Sequence, residues 1–229
     1  MISNITKFKR KPGIVLILDR IISPDRLALY REQGVDLLEL RVDLFDSPFE
    51  ETISFLQSVV PGTGLPVIGT IRETAQNRLE RVELFKQIIP YVDYIDIELD
   101  TPISEQVFDA AKGRAVVMVS EHDFEKTPDE NQLSEMVKKA VAQGAEIVKI
   151  ATMAHDAKDV TRLLTFTENC ETPLVSIAMG EHGKVSRVIA PLFGSLFTYG
   201  FEGTPVAPGQ IPVEKLIEQV DSYFPSRKL

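Results

Sequence analysis

Cysteine occurs once in the 229 residues, at Cys170, so no disulfide can form within the chain. That usage fits a reducing compartment. Cys170 follows Glu168 and Asn169, where a helix is expected to end, and no histidine is adjacent to it in sequence. It therefore reads as a structural or surface thiol and not as a nucleophile. An excess of basic charge is missing too. The formal net charge is −9, which argues against nucleic acid as a main partner. The one basic run, Lys7 to Lys11, is short, carries no recognition motif and reads as a solvated terminal segment. No apolar stretch approaches the length of a membrane span, and none opens the chain as a signal peptide would. A soluble, cytoplasmic protein without a membrane partner is expected.

No linker, low-complexity segment or shift in composition divides the sequence, so one compact domain over residues 1–229 is expected. Eight short apolar runs recur, near residues 14–18, 37–41, 67–72, 94–98, 115–120, 147–151, 174–178 and 196–199. They lie roughly 20 to 30 residues apart, as repeated strand–helix units require. Most are rich in Val and Ile, which suits parallel strands buried on both faces. Helix punctuation fills the gaps. Ser23-Pro24 reads as an N-cap with proline at the first helical position, and Gly34 as the stop. Thr101-Pro102 opens a helix that Gly113 ends. Thr127 and Glu130 form the ends of a capping box whose helix runs toward Gly144. A final helix begins near Pro212 and carries Val213, Leu216, Ile217 and Val220 at helical spacing. An open doubly wound sheet would place a glycine-rich turn after an early strand, whereas here the first strand is followed by Asp19-Arg20-Ile21-Ile22. The pattern is that of an α/β protein of the (β/α)8 barrel class.

Strand side chains alternate faces. In the second strand Leu38, Leu40 and Val42 share the face that should meet helices, leaving Glu39, Arg41 and Asp43 to point inward. Arg72 follows Thr70 on one face of the third strand. Asp96 and Glu98 alternate with Ile95 and Ile97, while Met118, Ser120 and His122 share a face of the fifth. Ile147 and Lys149 point inward from the sixth strand, and Val148 and Ile150 outward. Ionisable groups thus gather at the carboxyl ends of the strands, where barrel enzymes build their sites. Burying so many is costly unless they are paired.

Lys149 stands alone in an apolar run, Ala145 to Ala151. A lysine buried among apolar neighbours tends to lose its charge, and a neutral amine attacks carbonyl carbon. His122, one strand earlier, can move protons near neutral pH. The pair points to imine chemistry with acid–base assistance. The competing reading is a core lysine paired with Glu39, Glu98 or Asp96. Asp123 reads as a loop cap or a support for His122, Glu121 as an outward structural residue, and His155 and His182 as loop residues.

A longer set of segments runs in order along the chain: Glu39-Leu40-Arg41-Val42-Asp43, Gly69-Thr70-Ile71-Arg72, His122-Asp123-Phe124, Val148-Lys149-Ile150-Ala151, Met179-Gly180 with Ser186-Arg187, Phe193-Gly194-Ser195, and Ala207-Pro208-Gly209-Gln210. With them the chain resembles the type I 3-dehydroquinate dehydratases (3-dehydroquinases) of the shikimate pathway over essentially its whole length. The resemblance implies a (β/α)8 barrel, a homodimer, and dehydration of 3-dehydroquinate to 3-dehydroshikimate with no metal or organic cofactor. It implies that Lys149 forms an imine with the substrate ketone and that His122 is the general acid–base. Glu39, Arg41 and Arg72 would hold ring hydroxyls and orient the histidine. Arg187 would bind the carboxylate, helped by a local peptide dipole. Gln210 would close over the substrate, and Met179 would pack against its ring. The chain departs from the family pattern at Val206, where a serine is common, at Ala190, where a glycine is common, and in the loop around Gln76, which can fill the place of a common Glu or Gln but has no glycine pair beside it. Two alternatives stand beside this reading: an imine-forming barrel of the class I aldolase kind, and a binding barrel without chemistry.

Overall fold

The computed structural model describes residues 12–58 and 60–225. The basic run at residues 7–11 lies outside them. Strands and helices alternate from β1 (Gly13–Leu18) through α1 (Pro24–Gln33), β2 (Leu37–Arg41), α2 (Phe49–Ser58), β3 (Val67–Thr70), α3 (Arg81–Ile88), β4 (Tyr94–Glu98), α4 (Ser104–Ala111), β5 (Val116–Asp123), α5 (Glu130–Gln143), β6 (Ile147–Met153), α6 (Ala157–Asn169) and β7 (Leu174–Met179) to β8 (Phe197–Phe201) and α7 (Val213–Tyr223). All the strand pairs are parallel, in the order β7-β6-β5-β4-β3-β2-β1-β8, and Ile211–Pro212 adds a two-residue ninth strand, β9, beside β8. At the seam, the Leu196 amide donates to the Leu174 carbonyl (2.9 Å) while its own carbonyl accepts from Gly13 (3.1 Å). The expected (β/α)8 barrel is what forms.

Two apolar cores follow from strand alternation. Leu38, Leu40, Ile95, Ile97, Val148 and Ile150 point outward and pack with helix residues such as Phe85, Leu133 and Leu163. Val15, Leu37, Ile68, Tyr94, Met118, Ile147, Val175 and Phe197 fill the barrel interior. Farther along the same strands the inward positions turn polar: Glu39, Thr70, Asp96, Ser120 and Lys149 are all buried. The inner core is therefore a plug of apolar side chains, and the charged residues sit on top of it.

Local signals set most boundaries. Ser23 accepts from the Arg26 amide ahead of Pro24, and Gly34 ends α1 in the left-handed region, φ 115°. Two helix starts differ from expectation. The capping box of α5 belongs to Asp129 and Gln132, not to Thr127 and Glu130. Thr127 is engaged elsewhere, because its hydroxyl donates to the Met153 carbonyl (2.8 Å) and lies 3.1 Å from the Thr152 hydroxyl. The helix expected from Thr101-Pro102 starts later, at Ser104, and is followed by Lys112 at its C-cap, just before Gly113. β3 ends at Thr70, two residues short of Arg72, and β5 runs on to Asp123 so that His122 lies within a strand.

Gly200 lets β8 approach α7 closely. A Cβ built there would fall 2.7 Å from the Val213 Cα, a backbone atom that cannot rotate away. Gly200→Ala should therefore lower the stability of the fold by about 1–3 kcal/mol, the usual cost of overpacking. Urea denaturation measures this, and an unchanged midpoint would show that the contact yields freely.

Candidate active site

One pocket opens at the carboxyl ends of the strands. All eight residues singled out from sequence line it: Glu39 and Arg41 from β2, Arg72 after β3, His122 from β5, Lys149 from β6, Met179 from β7, Arg187 after β7, and Gln210 in the loop after β8. Ile17, Ala151, Ile177, Tyr199 and Ala207 complete the lining. These five were not singled out from sequence. Extending the inward alternation from Phe197 reaches Tyr199, and from Lys149 it reaches Ala151; Ala151 and Ala207 also lie within the ordered segments, but no role was drawn for them.

Lys149 is 5% exposed and its amine is not isolated among apolar groups, as the sequence suggested. Its Nζ lies 2.9 Å from Asp96 Oδ2 and 3.4 Å from Glu39 Oε2. The Tyr199 ring lies beneath it, with its centroid 4.2 Å from Nζ, a cation–π distance. Asp96 is fully buried and uses its second oxygen to accept from Arg72 Nη2 (2.8 Å) and the Ser120 hydroxyl (2.6 Å). Glu39 Oε1 accepts from the Thr70 hydroxyl (2.8 Å). Charges then alternate outward. Arg72 faces Glu98 at 3.6 Å, and Glu98 pairs with Arg81. Arg81 is fully buried and also donates from Nε to the Ile71 carbonyl (2.7 Å). Arg81 is not among the residues expected from sequence, although it shares the buried face of α3 with Phe85 and Ile88 at helical spacing.

This array sets the protonation of its members. Burial alone would raise the Asp96 carboxyl, but Arg72, Lys149 and the Ser120 hydroxyl outweigh it and hold the group far below the carboxylate range. Burial, reinforced by Arg72 and Lys149, pushes His122 down to about 3 despite the opposing pull of Asp96. His122 is therefore a neutral imidazole at physiological pH and titrates well below the near-neutral range expected from sequence, because it is buried beside cations. Its ring stacks on Phe124, 6.0 Å between centroids and 15° between planes. Burial likewise keeps the Tyr199 phenol protonated, its pKa raised well above the ordinary value.

Arg187 is buried, and no ion pair joins it to an acidic side chain among the described residues. Nη1 donates to the Tyr199 carbonyl (3.5 Å) and Nη2 to that of Pro208 (3.3 Å), while Nε has no partner. Burial lowers its pKa to about 10. The expected dipole contribution is not available here. Arg187 belongs to a four-residue helix, Ser186–Ile189, too short to sum many peptide dipoles. The Gln210 side-chain oxygen accepts from the amides of Val206 (2.6 Å) and Ala207 (3.1 Å), which holds its loop in a tight turn. The Pro208 carbonyl also accepts from Gly180 (3.4 Å), so this loop is seated on the segment after β7.

The remaining sequence assignments divide. Arg41 is held by both oxygens of Asp43 (3.0 and 2.6 Å). Asp123 caps its loop by accepting from the Glu125 and Lys126 amides, both 2.9 Å. Gln76 is exposed and does not line the pocket. Glu121 faces outward, toward α5. His155 and His182 are exposed and away from the pocket. Among the described residues, no cluster of three or more His, Cys, Asp or Glu side chains is arranged to hold a metal ion. No helix among them is long and apolar enough to cross a membrane.

Comparisons with known proteins bear on the family and the fold. The family model described as type I 3-dehydroquinase matches residues 23–225. A curated 3-dehydroquinate dehydratase of Methanocella arvoryzae is 40% identical over 194 residues, covering 81% of this chain and 86% of its own. The crystal structure of the Aquifex aeolicus 3-dehydroquinate dehydratase is 32% identical with a TM-score of 0.81, covering 93% of this chain and 99% of its own. That of Geobacillus kaustophilus is 26% identical with a TM-score of 0.79, over 94% and 92% of the two chains. From the ordered strand-end residues, the barrel that brings them into one pocket and these likenesses, the chain belongs to the type I 3-dehydroquinase family.

Proposed function

We propose that this protein dehydrates 3-dehydroquinate to 3-dehydroshikimate through an imine on Lys149, with His122 as general acid–base. The observation that carries the reading is the joint presence, in one pocket, of a buried lysine, a neutral histidine and a buried arginine without an acidic partner.

The substrate is a β-hydroxy ketone whose α-proton is too weakly acidic for an imidazole to remove quickly. Lys149 first gives up a proton, and neutral His122 is the acceptor. The nitrogen lone pair attacks the carbonyl carbon, and the carbonyl oxygen takes that proton from His122 to give a carbinolamine, whose hydroxyl then gains one of the two protons left on nitrogen. Loss of that oxygen as water leaves a protonated imine. His122 then removes the α-proton, and the C–H electron pair moves toward the imine nitrogen to give an enamine. The enamine pushes out the β-hydroxyl, which takes the proton from His122 and leaves as a second water. Hydrolysis of the conjugated imine consumes one water and restores the amine. The net change is loss of one water. A positioned acid–base group contributes about 10²–10⁴ in rate to such steps.

Arg187 would bind the substrate carboxylate through two parallel N–H bonds, which fix its plane. Glu39, Arg41 and Arg72 would hold the ring hydroxyls, Met179 would pack on the ring, and Gln210 would close the pocket from its loop. A carboxylate suits these loops better than the phosphate of many aldolase substrates. Lys184 pairs with Glu181 (2.8 Å) and Glu202 with Arg26 (3.0 Å), which leaves Arg187 as the cation that these two loops present to the pocket. The family resemblance also supports a cytoplasmic homodimer of the shikimate pathway that needs no cofactor, and the net charge of −9 argues against nucleic acid as a partner.

Three outcomes test this reading. Lys149→Ala should abolish the ultraviolet absorbance that the conjugated product brings, while the wild-type protein produces it. A C–C cleavage product from the wild type would favour the aldolase reading, and no turnover at all a binding barrel. Nitrogen-15 spectra should show His122 neutral in the free protein down to about pH 3, and His122→Ala should cut turnover sharply. An imidazolium already present near pH 6, the unperturbed range for histidine, would contradict the neutral state of the free protein, and near-normal turnover in the variant would contradict its role. Arg187→Ala should raise KM by the equivalent of about 1.5–3 kcal/mol, the worth of a charge-assisted bond, and an unchanged KM would remove the carboxylate assignment.

A further inference from the structure

We infer that Asp96 is the fixed counter-ion of the reacting nitrogen, holding the imine of Lys149 in its protonated form through the dehydration step. The inference rests on the imine reading of Lys149 and adds a residue to it.

Position separates Asp96 from Glu39, the other carboxylate near the amine. Glu39 lines the pocket and can reach a substrate. Asp96 is fully buried, does not line the pocket, and lies behind the lysine. Both its oxygens are committed, Oδ2 to Lys149 at 2.9 Å and Oδ1 to Arg72 and Ser120. It can therefore act on the chemistry only through the groups it touches, directly at the lysine nitrogen and more remotely through Arg72. Its strongly lowered pKa agrees with a carboxylate that stays ionised and does not exchange protons.

The charge at that nitrogen explains why such a group is useful. The ammonium of the resting site and the protonated imine carry the same charge on the same atom, so one carboxylate serves both. A ketimine in water loses its proton near neutrality and then ceases to be an electron sink. A carboxylate in contact within a dry interior favours the protonated form. The other groups around the nitrogen do not supply this. Arg72, after β3, is a cation, as are Arg41 from β2 and Arg187. His122 from β5 is neutral, and Tyr199 from β8 presents an uncharged ring. Glu39 is more distant, at 3.4 Å, and its carboxylate also faces the substrate. β1 and β7 add only Ile17, Ile177 and Met179.

The test is Asp96→Asn, which keeps the shape and removes the charge, with folding checked by circular dichroism. Its kcat should fall by about 100-fold or more while KM stays within about threefold, and the alkaline limb of the kcat–pH profile should move down by at least about one unit. A merely structural role would lower activity without moving that limb, so an unmoved limb overturns the proposal. Should Asp96→Asn not fold, infrared spectra of the wild-type protein equilibrated with substrate and product decide. The C=N band should shift in heavy water well above neutral pH, as a protonated imine requires, and a band insensitive to deuterium near pH 8 overturns the proposal. Absence of any imine in the wild type would be a failure of the Lys149 reading itself, and is distinguished by the missing band.

Discussion

A lysine ammonium buried against two carboxylates organises the catalytic end of this barrel. Lys149 sits on an apolar plug, where an unpaired charge would cost several kcal/mol. Asp96 and Glu39 meet it, and each carboxylate has its own support, Arg72 and Ser120 for one and Thr70 for the other. The chain of alternating charge continues through Glu98 to Arg81, linking β2, β3, β4, β6 and the first turn of α3. Removing one member would leave its neighbours buried and unpaired, so the reactive group and the strand ends hold one another in place.

The same array separates the titratable groups by role. Burial and the cations nearby keep His122 neutral, with its lone pair free but only weakly basic, and the same cations keep Asp96 ionised. Arg187 stands apart from this balance. It is buried, turned onto two backbone carbonyls, and lacks an acidic partner among the described residues. In the proposed reaction the substrate carboxylate completes it. A site whose internal charges are paired except for one cation selects an anionic ligand without strong non-specific attraction, in a protein whose net charge is −9.

Much of this was legible in the sequence because strands of period two announce their faces. Once Leu38 and Leu40 point outward, Glu39 must point inward, and the same parity places Asp96, Ser120, His122 and Lys149. Contacts between strands were less legible, since parity says which side a group is on and not which partner it meets. That is why the preferred reading left the lysine alone among apolar neighbours, whereas the competing one named Glu39 and Asp96, the two carboxylates that face it. Arg81 escaped for a related reason. Arg78 and Arg81 look alike in sequence, and only the packing of Phe85 and Ile88 shows which one is buried. The start of α5 was misplaced because two capping patterns overlap at residues 127–132, and tertiary contacts of Thr127 choose between them.

The claim on which the account turns is a covalent bond between substrate and the Lys149 nitrogen. Reducing the protein with borohydride in the presence of 3-dehydroquinate, followed by mass mapping of peptides, tests it directly. The account predicts a stable adduct on the peptide containing Lys149 and on no other. An unmodified Lys149 peptide from protein that is turning over, or an adduct on a different lysine, would contradict it.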